Sequence, residues 1–591
     1  MRWRTAGCIL ALLLAGQALA GPRADGSAES AEGSWLSRLF DRHLRTQALT
    51  GEKLEGRALE AFDAYEEFAG RTIEVVLVSQ VARFDRDWRS TRGAPERLLG
   101  SLTDPLQSYT RDGTIRQELL FRRGDSLDPF VLADTERLLR RLPYISDVRI
   151  TVVPLLRGAE TVAVVVETRD RWPLGLDGRI VDRRQFSGSV YTVNLLGWGV
   201  GLDHEILFRE DADPSTGHRT VLTQPNLFGT FIGGVAEVED SWRQQRRALA
   251  FERGLWHPGI DLVGGARLAL TDDRDNGGIP REFLDGEVWV GRVARLGEGG
   301  ERGDSSRPLL VPAAALWFRS FDARPEVTLE RNRTYHDRRL ALGGLTFQRV
   351  KYYRTSFLYR MGETEDVLSG LTVKGVMGYE SGQFQERTCG WLDAALLSIR
   401  NRGDLVFLRV GSGGFLRRGD FEEGIVTASA GYAAPLMGDG PYRGRLYVQA
   451  AYALGIDRYP EESISLGDRN GLRGFPDEVL TGDQRLVGSL EGRLFTPWTF
   501  LGFRCMLLGF ADAGMIGGED DPILDGLVYL GGGLGLRLHN PGLVFPPVQV
   551  RVGVERRLDG HGLIVGLAMG DADRPGPFGM PGVRPTPIPY E

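Results

Sequence analysis

Much of the chain is a succession of short runs in which apolar and polar residues alternate. In residues 445–454 the even positions carry Leu, Val, Ala, Tyr and Leu, whereas the odd positions begin with Arg, Tyr and Gln. Valines at 548, 550, 552 and 554 alternate in the same way with Gln549, Arg551 and Glu555. Successive side chains of an extended chain point to opposite faces, so the pattern predicts strands with one apolar and one polar face.

From Trp172 onward such runs follow one another between Gly, Asp, Asn and Pro, with no helical period of useful length. A soluble β-sandwich would show the same alternation with its faces reversed, but roughly 400 residues of hairpins exceed one sandwich. An apolar outer face and a polar lumen suit a sheet in lipid, which must close because lipid cannot pair a free edge. The pattern therefore predicts an all-β transmembrane barrel over residues 171–570.

The first residues have the charged, apolar and small-residue regions of a secretory signal, with cleavage after Ala20. Residues 21–70 read as a flexible leader followed by short amphipathic helices, one beginning near Trp35 and one near Leu59. These helices are expected to pack on the following domain; a plug or a membrane-surface helix is the alternative. No segment after Ala20 has the ~18 uninterrupted apolar residues of a spanning helix.

Residues 71–170 change period from strand to helix and back, which predicts a small α+β domain. The predicted elements, in chain order, are a strand from Thr72 to Phe84, a helix from Thr114 to Gly124, a helix from Asp128-Pro129 to Pro143, and strands from Ser146 to Val153 and from Thr161 to Thr168.

One stretch near the C-terminal end gathers candidate chemistry, the tetrapeptide Leu472-Arg473-Gly474-Phe475 before two alternating runs. Period-2 geometry places Glu491 on the polar face of the first run, and Phe510 and Asp512 together on the polar face of the second. A guanidinium can bridge a carboxylate through two donors, and glycine permits a tight loop beside it.

These motifs resemble those of the outer membrane protein 85 superfamily (BamA/TamA-like, bacterial surface antigen family). There a loop arginine in an [VIL]RG[FY] tetrapeptide meets an F-x-D-x-G motif on the barrel wall, and the second motif here is Phe510-Ala-Asp512-Ala-Gly514. The resemblance implies a site of Arg473, Gly474, Phe475, Phe510, Asp512 and Gly514, with Glu491 a second partner for the arginine.

The same resemblance extends to residues 115–172, which look like a polypeptide-transport-associated (POTRA) domain. It implies a barrel of about sixteen strands, with the arginine loop between strands eleven and twelve and five strands after it. Five runs do follow the loop, but more than eleven candidates precede it, so some are expected to be halves of long strands or loop hairpins. Asn194-Leu-Leu-Gly197 and Asn226-Leu-Phe-Gly229 look like tight turns on the periplasmic side.

Composition and residue spacing limit the fold classes and functions that the chain can have. Glycine accounts for 79 of 591 residues and the formal charge is -7, so sheet is favoured and no nucleic-acid partner is implied. Cys389 and Cys505 are expected to be unpaired small residues on strands. The histidines lack metal-ligand spacing, Gly531–Gly535 lies in a strand and is no nucleotide loop, and no catalytic set is present. We expect no enzyme, no cofactor and no metal.

The resemblance implies a protein of the cell outer membrane, with the POTRA-like domain in the periplasm. Its function would be to assist the assembly, insertion or translocation of other polypeptides. Its partners would be outer-membrane lipid, extended or unfolded polypeptide clients and accessory assembly proteins, with strand addition as the mode of client binding. The alternative is a passive pore or structural surface barrel without polypeptide clients.

The last residues, 571–591, form a proline-rich tail where the family's last strand normally ends on an aromatic residue. Prolines cannot continue a hydrogen-bonded strand, so an extended, poorly ordered tail and an internal recognition signal are expected.

Overall fold

Strands make up most of the described chain, and nearly all of them belong to one large antiparallel sheet. The computed structural model describes residues 57–60, 62–81, 109–155, 160–180, 184–257, 259–274, 281–297, 308–329, 331–438, 440–459, 462–475, 480–500, 502–557, 560–569 and 580–590. The predicted signal peptide, the helix near Trp35 and residues 570–579 of the tail lie outside these ranges.

The N-terminal part forms a small α+β unit around a three-stranded sheet. Its elements in chain order are β1 (Leu59–Glu60), a 3-10 helix (Asp63–Phe68), β2 (Thr72–Val81), α1 (Asp112–Gln117), α2 (Pro129–Arg141), β3 (Ile145–Pro154) and β4 (Thr161–Asp170). In the small sheet β4 is central, parallel to β2 and antiparallel to β3. Ile73, Leu132 and Val164 are buried together in the core that α2 covers.

Helix α2 begins as predicted, because the Asp128 side chain accepts a hydrogen bond from the backbone N–H of Phe130 at 2.9 Å, with Pro129 in the first turn. The bounds predicted for α1 are wrong. The helix starts at Asp112 because the hydroxyl of Thr114 donates to the carbonyl of Gly197, 3.0 Å away, and Arg111 takes the N-cap position.

The predicted helix near Leu59 is replaced by β1 and the 3-10 helix. Strand β1 pairs with a strand of the large sheet at Tyr353 and Arg354, and Tyr65 is buried in the core of the small unit. This segment therefore contacts both the small unit and the large sheet.

The large sheet follows in hairpin order. Its strands before the Arg473 stretch are β5 (Leu174–Ile180), β6 (Gln185–Leu195), β7 (Val200–Arg209), β8 (Thr216–Gln224), β9 (Gly233–Asp240), β10 (Gln244–Arg253), β11 (Leu262–Asp273), β12 (Arg281–Arg292), β13 (Ala294–Arg295), β14 (Leu309–Ala323), β15 (Arg338–Thr355), β16 (Glu365–Gly382), β17 (Glu386–Ile399), β18 (Leu405–Arg417), β19 (Asp420–Ala433) and β20 (Arg443–Ile456). A separate pair, β21 (Ile464–Leu466) and β22 (Leu480–Gly482), precedes β23 (Gln484–Phe500), β24 (Phe503–Gly517), β25 (Tyr529–His539), β26 (Val548–Arg557) and β27 (Gly560–Met569).

The large sheet holds 22 strands, counting the two-residue strands β1 and β13. The expected number of about sixteen is therefore wrong for the described chain. The surplus runs before the Arg473 stretch form separate strands of the large sheet, each with its own antiparallel register, and are not halves of long strands. The five runs predicted after that stretch are the five strands β23–β27. Closure of the sheet into a barrel stays a prediction.

The two faces of the sheet differ as the alternation predicts. In β20, Val448 is 44% exposed, whereas Arg445 and Tyr447 are only 1% and 2% exposed. In β26, Val552 and Val554 are exposed while Gln549 and Glu555 are buried. The enclosed face of this sheet is thus the charged one, the reverse of a water-soluble sheet packed on a core.

Neither the length nor the hydropathy needed to cross a bilayer is found in any helix of the described residues. Cys389, which is buried, and Cys505 are both free.

Candidate functional site

The site is built on the segment between β20 and β23, which we call the Arg473 loop (residues 464–482). Its backbone is folded into a compact turn. The backbone N–H of Asp468 donates to the carbonyl of Phe475 at 2.9 Å, and the Asp468 carboxylate accepts the N–H of Gly474 at 3.1 Å. Gly471 and Gly474 have φ of 99° and 92°, a region that favours glycine. The turn therefore presents Arg473 in a fixed orientation.

Arg473 and Asp512 form a two-point pair. The Arg473 Nε donates to Asp512 Oδ2 and its Nη2 to Asp512 Oδ1, each at 2.7 Å. The backbone N–H of Arg473 also donates to Asp512 Oδ2 at 3.2 Å. Asp512 lies on β24 with its side chain 0% exposed, so the arginine supplies the charge and the donors that a buried carboxylate requires.

The neighbouring strand β23 completes the shell around the guanidinium. Arg473 Nη1 donates to Glu491, and Arg473 Nη2 donates to the Ser489 hydroxyl at 2.8 Å. That hydroxyl donates in turn to Asp512 Oδ1 at 2.6 Å, and Arg493 Nε donates to Glu491 at 2.7 Å. The β23–β24 register explains the arrangement, because it sets Ser489 opposite Asp512 and Glu491 opposite Phe510.

Apolar contacts hold the rest of the loop. The guanidinium carbon of Arg473 lies 4.2 Å from the ring centroid of Phe510, a cation–π distance. Phe475 is buried in a cluster whose other buried members are Leu466, Leu472, Val487 and Tyr529.

Both motif glycines make room for these contacts. A Cβ added to Gly474 would lie 2.4 Å from Ile564 Cγ1 on β27, and one added to Gly514 would lie 2.9 Å from Leu466 Cδ1. A larger residue at either position would displace the Arg473 loop from the large sheet. The structure thus brings together all seven residues that the sequence singled out.

Two contributors were not assigned a role from the sequence. Ser489 bridges the arginine and Asp512. Gly531 lies where any Cβ would come within 2.9 Å of the Arg473 carbonyl oxygen, so the glycine run of β25 lets the loop backbone approach the sheet. This close approach could have been predicted from the sequence, because Gly531-Gly532-Gly533 lies in a strand and glycine inside a strand often marks close approach of another backbone.

The role of this site is structural, because its polar groups form hydrogen bonds and ion pairs with one another. Two carboxylates, Glu491 and Asp512, face two guanidinium groups, Arg473 and Arg493, so formal charge is balanced. Within the described residues, no group of three His, Cys, Asp or Glu side chains could hold a metal ion. The arrangement fastens a loop to two strands.

A second set of contacts fastens the small unit to the large sheet. Arg140 of α2 donates to both oxygens of Asp366 on β16, each at 2.8 Å, and its side chain is 6% exposed. Arg137 donates to the carbonyl of Trp256 at 2.5 Å and lies 3.9 Å from the ring centroid of Tyr352. The unit is thereby attached at several points.

The two Asn-Leu-x-Gly turns serve the same attachment. The Asn194 amide donates to the Thr110 hydroxyl at 2.8 Å while its oxygen accepts the N–H of Gly199 at 2.7 Å. Asn226 repeats this, with the carbonyl of Gln117 and the N–H of Phe231 as partners. The turns predicted from the internal repeat are therefore tight turns that contact the small unit.

Glu118 lies buried beside the second turn. Burial raises the pKa of Glu118 to about 7, and a hydrogen bond from the Asn226 side chain opposes part of that rise. The protonation of this group is therefore linked to the contact between the small unit and the turn.

No protein-family model matches the chain, and no curated protein matches it. Solved structures do match. The crystal structure of BamA from Haemophilus ducreyi lacking POTRA domains 1-3 is 12% identical, covers 83% of this chain and 83% of its own, and has a TM-score of 0.32. CdiB from Acinetobacter baumannii is 12% identical over 92% of this chain and 87% of its own, with a TM-score of 0.38. CdiB from Escherichia coli is 14% identical over 92% of this chain and 100% of its own, with a TM-score of 0.41.

Proposed function

We propose that the chain is an outer-membrane β-barrel of the Omp85 type that assists the assembly, insertion or translocation of other polypeptides. Residues 71–170 would be its POTRA-like periplasmic domain, residues 171–570 the barrel, and residues 1–20 a signal peptide. The membrane setting is supported by the two faces of the large sheet, with valines outward in β26 and charged side chains enclosed.

One observation carries the proposal, the seating of Arg473 on Asp512 and Glu491 of two adjacent strands. A loop that crosses to the charged face of the sheet and is fastened there by a buried two-point pair is what the motif resemblance implies. Such a loop shapes the interior of a transport pore, a role that a passive surface barrel does not require.

The small unit supplies a place for an extended client. Strand β3 lies at the edge of the small sheet, and strand addition to such an edge is a common way to bind an unfolded segment. Ser146 at the start of β3 lines a cavity of about 500 Å³ together with Arg140 and Arg141 of α2 and Asp366 and Leu397 of the large sheet. Strand β3 therefore begins beside a cavity that residues of the small unit and of the large sheet line together.

Site-specific photo-crosslinking in the full chain tests this function. A photoreactive amino acid at Arg149, an exposed position on β3, should trap extended outer-membrane or secreted proteins in living cells. The same residue at Asp112, an exposed position on α1, is the matched control and should trap markedly fewer.

Depletion of the protein should then reduce a specific subset of outer-membrane or secreted proteins that includes those trapped. Equal crosslinking at both positions, with an unchanged outer-membrane proteome on depletion, would support the passive barrel instead.

A further inference from the structure

The described part of the tail, Met580–Tyr590, lies along the enclosed face of the large sheet. Arg584 donates through Nε to Glu287 of β12 at 2.6 Å and makes a second hydrogen bond to the same carboxylate. Val583, Ile588 and Tyr590 pack against a buried cluster of the sheet. The expectation of a poorly ordered tail is therefore wrong for these residues, although they are extended and form no strand.

The tail crosses successive strands as it proceeds. Beyond Arg584, the Thr586 hydroxyl accepts from Lys374 Nζ of β16 at 3.3 Å. The last described residue, Tyr590, stacks on Arg458 with 3.8 Å between the guanidinium carbon and the ring centroid.

Glycines of three strands lie against the tail and leave space for it on the face of the large sheet. A Cβ on Gly344 would lie 3.1 Å from Pro585 Cγ, and one on Gly411 would lie 2.9 Å from Ile588 Cδ1. A Cβ on Gly455 would lie 2.3 Å from the Tyr590 hydroxyl. Glycine at these positions on β15, β18 and β20 leaves a groove that an extended backbone can occupy.

The described part of the tail starts at the cavity beside β3, because Met580 lines that cavity with Ser146 and Arg140. Residues 580–590 run from there across the enclosed face of the large sheet.

We propose that this strip is a binding groove for an extended polypeptide carrying a basic residue, and that Met580–Tyr590 is its resident occupant. An incoming extended segment displaces the tail and takes the same wall, with an arginine or lysine on Glu287. The displacement by clients rests on the proposed function; occupancy of the groove by the tail does not.

The contacts of the tail favour release. Its principal charged contact is the pair between Arg584, whose side chain is 36% exposed, and Glu287, whose side chain is 7% exposed. Partly exposed pairs contribute little because water and salt screen them. Prolines at 581, 585, 587 and 589 restrict the backbone in advance, so little conformational entropy is lost on binding. The tail therefore binds specifically but exchangeably.

Occupancy is tested by a disulfide in the full chain with Cys389 and Cys505 replaced by serine. The Cβ built on Gly344 lies 3.2 Å from Pro585 Cβ, close to the separation in disulfides. Gly344→Cys with Pro585→Cys should oxidise to a bridge that shifts mobility on a non-reducing gel. Gly343→Cys with Pro585→Cys is the matched control, because Gly343 faces the opposite side of β15. Equal bridging in both pairs, or none in the first pair of folded protein, would overturn the assignment.

Exchange is tested by conductance across planar bilayers. Deleting residues 580–591 should raise conductance severalfold, and the oxidised Gly344→Cys/Pro585→Cys protein should stay low until it is reduced. A synthetic peptide of residues 580–591 should block the deleted protein, and a peptide with Arg584→Glu should block it about tenfold or more weakly. In a Glu287→Arg barrel that preference should reverse.

An unchanged conductance on deletion, or equal block by both peptides, would overturn the groove proposal. Client crosslinking at Arg149 tests the proposed function separately. Block of conductance by the peptide without crosslinked clients would support the groove proposal and contradict the proposed function. Crosslinked clients without block of conductance would support the proposed function and contradict the groove proposal.

Discussion

The large sheet holds two segments against its charged face, and they are held in different ways. The Arg473 loop places one arginine, 14% exposed, on a carboxylate that is 0% exposed, with Glu491 and Ser489 as further acceptors. The tail places Arg584, 36% exposed, on a single carboxylate and otherwise relies on proline, aromatic and aliphatic contacts.

Burial decides what each arrangement does. Removing one partner of a buried charge pair leaves the other charge without compensation, which costs far more than the pair itself contributes. In the tail pair Glu287 is 7% exposed but Arg584 is 36% exposed, so the arginine keeps contact with water and screening weakens the pair. The loop is therefore a permanent part of the wall, and the tail is an occupant that can leave.

Replacing the loop arginine should have the largest effect. Arg473→Ala strands Asp512 and should lower the free energy of unfolding by about 3 to 5 kcal/mol, measured by urea titration of tryptophan fluorescence in detergent. Arg473→Lys should rescue little, because an ammonium lacks the planar fork. Thr481→Ala, at an exposed position of the same loop, is the control and should change stability little. A loss for Arg473→Ala no greater than for Thr481→Ala would remove the distinction between loop and tail.

The second-largest effect is expected from a glycine of the loop, compared with a glycine beneath the tail. Gly474→Ala combines a φ of 92° with a Cβ that would lie 2.4 Å from Ile564, so it should cost about 2 to 3 kcal/mol. Gly344→Ala, beneath the tail, meets only the Pro585 ring of the tail at less than 3.5 Å and should cost less than about 1 kcal/mol. Thermal midpoints of both variants in one detergent provide the comparison, and equal losses would contradict it.

A third contact, between the small unit and its turn, should respond to pH. The pKa of Glu118 is raised to about 7 in the folded chain, so the unfolded chain loses this proton first as pH rises. The Glu118 contribution should thus reduce stability between about pH 4.5 and pH 7, by about 3 kcal/mol at most. Glu118→Gln should remove that slope while keeping the Asn226 contact. Identical pH profiles for the two proteins would show that Glu118 titrates normally.

The smallest effect is expected from the tail. Deleting residues 572–591 should leave membrane insertion intact, since residues 580–590, the described part of the tail, form no strand of the sheet. Unheated and boiled samples of the deleted protein should still migrate differently in a detergent gel, as expected of a folded barrel. Loss of the protein from the outer membrane would instead place an assembly signal in the tail.

The sequence predicted what depends on local pattern. Alternation predicted the sided strands, Asp128-Pro129 predicted the start of α2, and the repeated Asn-Leu-x-Gly predicted two tight turns. The seven site residues were recognisable because their motifs are contiguous and β23 and β24 pair as neighbours.

The features that the sequence did not predict depend on contacts between residues far apart in the chain. The strand number depends on which runs find separate partners, and the start of α1 depends on Gly197, far along the chain, which takes the Thr114 hydroxyl. The tail groove is assembled from β12, β15, β16, β18 and β20, so no local pattern marks it.

The central claim, that the Arg473 loop is fastened inside the sheet, is tested most directly by a pair of cysteines that leaves the arginine in place. Leu472 and Val487 share a buried cluster, so Leu472→Cys with Val487→Cys should be joined by a short bifunctional crosslinker in folded protein lacking Cys389 and Cys505. Leu490, on the same strand but 44% exposed on the outer face, supplies the control pair and should not crosslink to Leu472→Cys. Adding Arg473→Ala should abolish the first crosslink. Equal crosslinking of both pairs, or a crosslink that survives Arg473→Ala undiminished, would show that the arginine does not hold the loop.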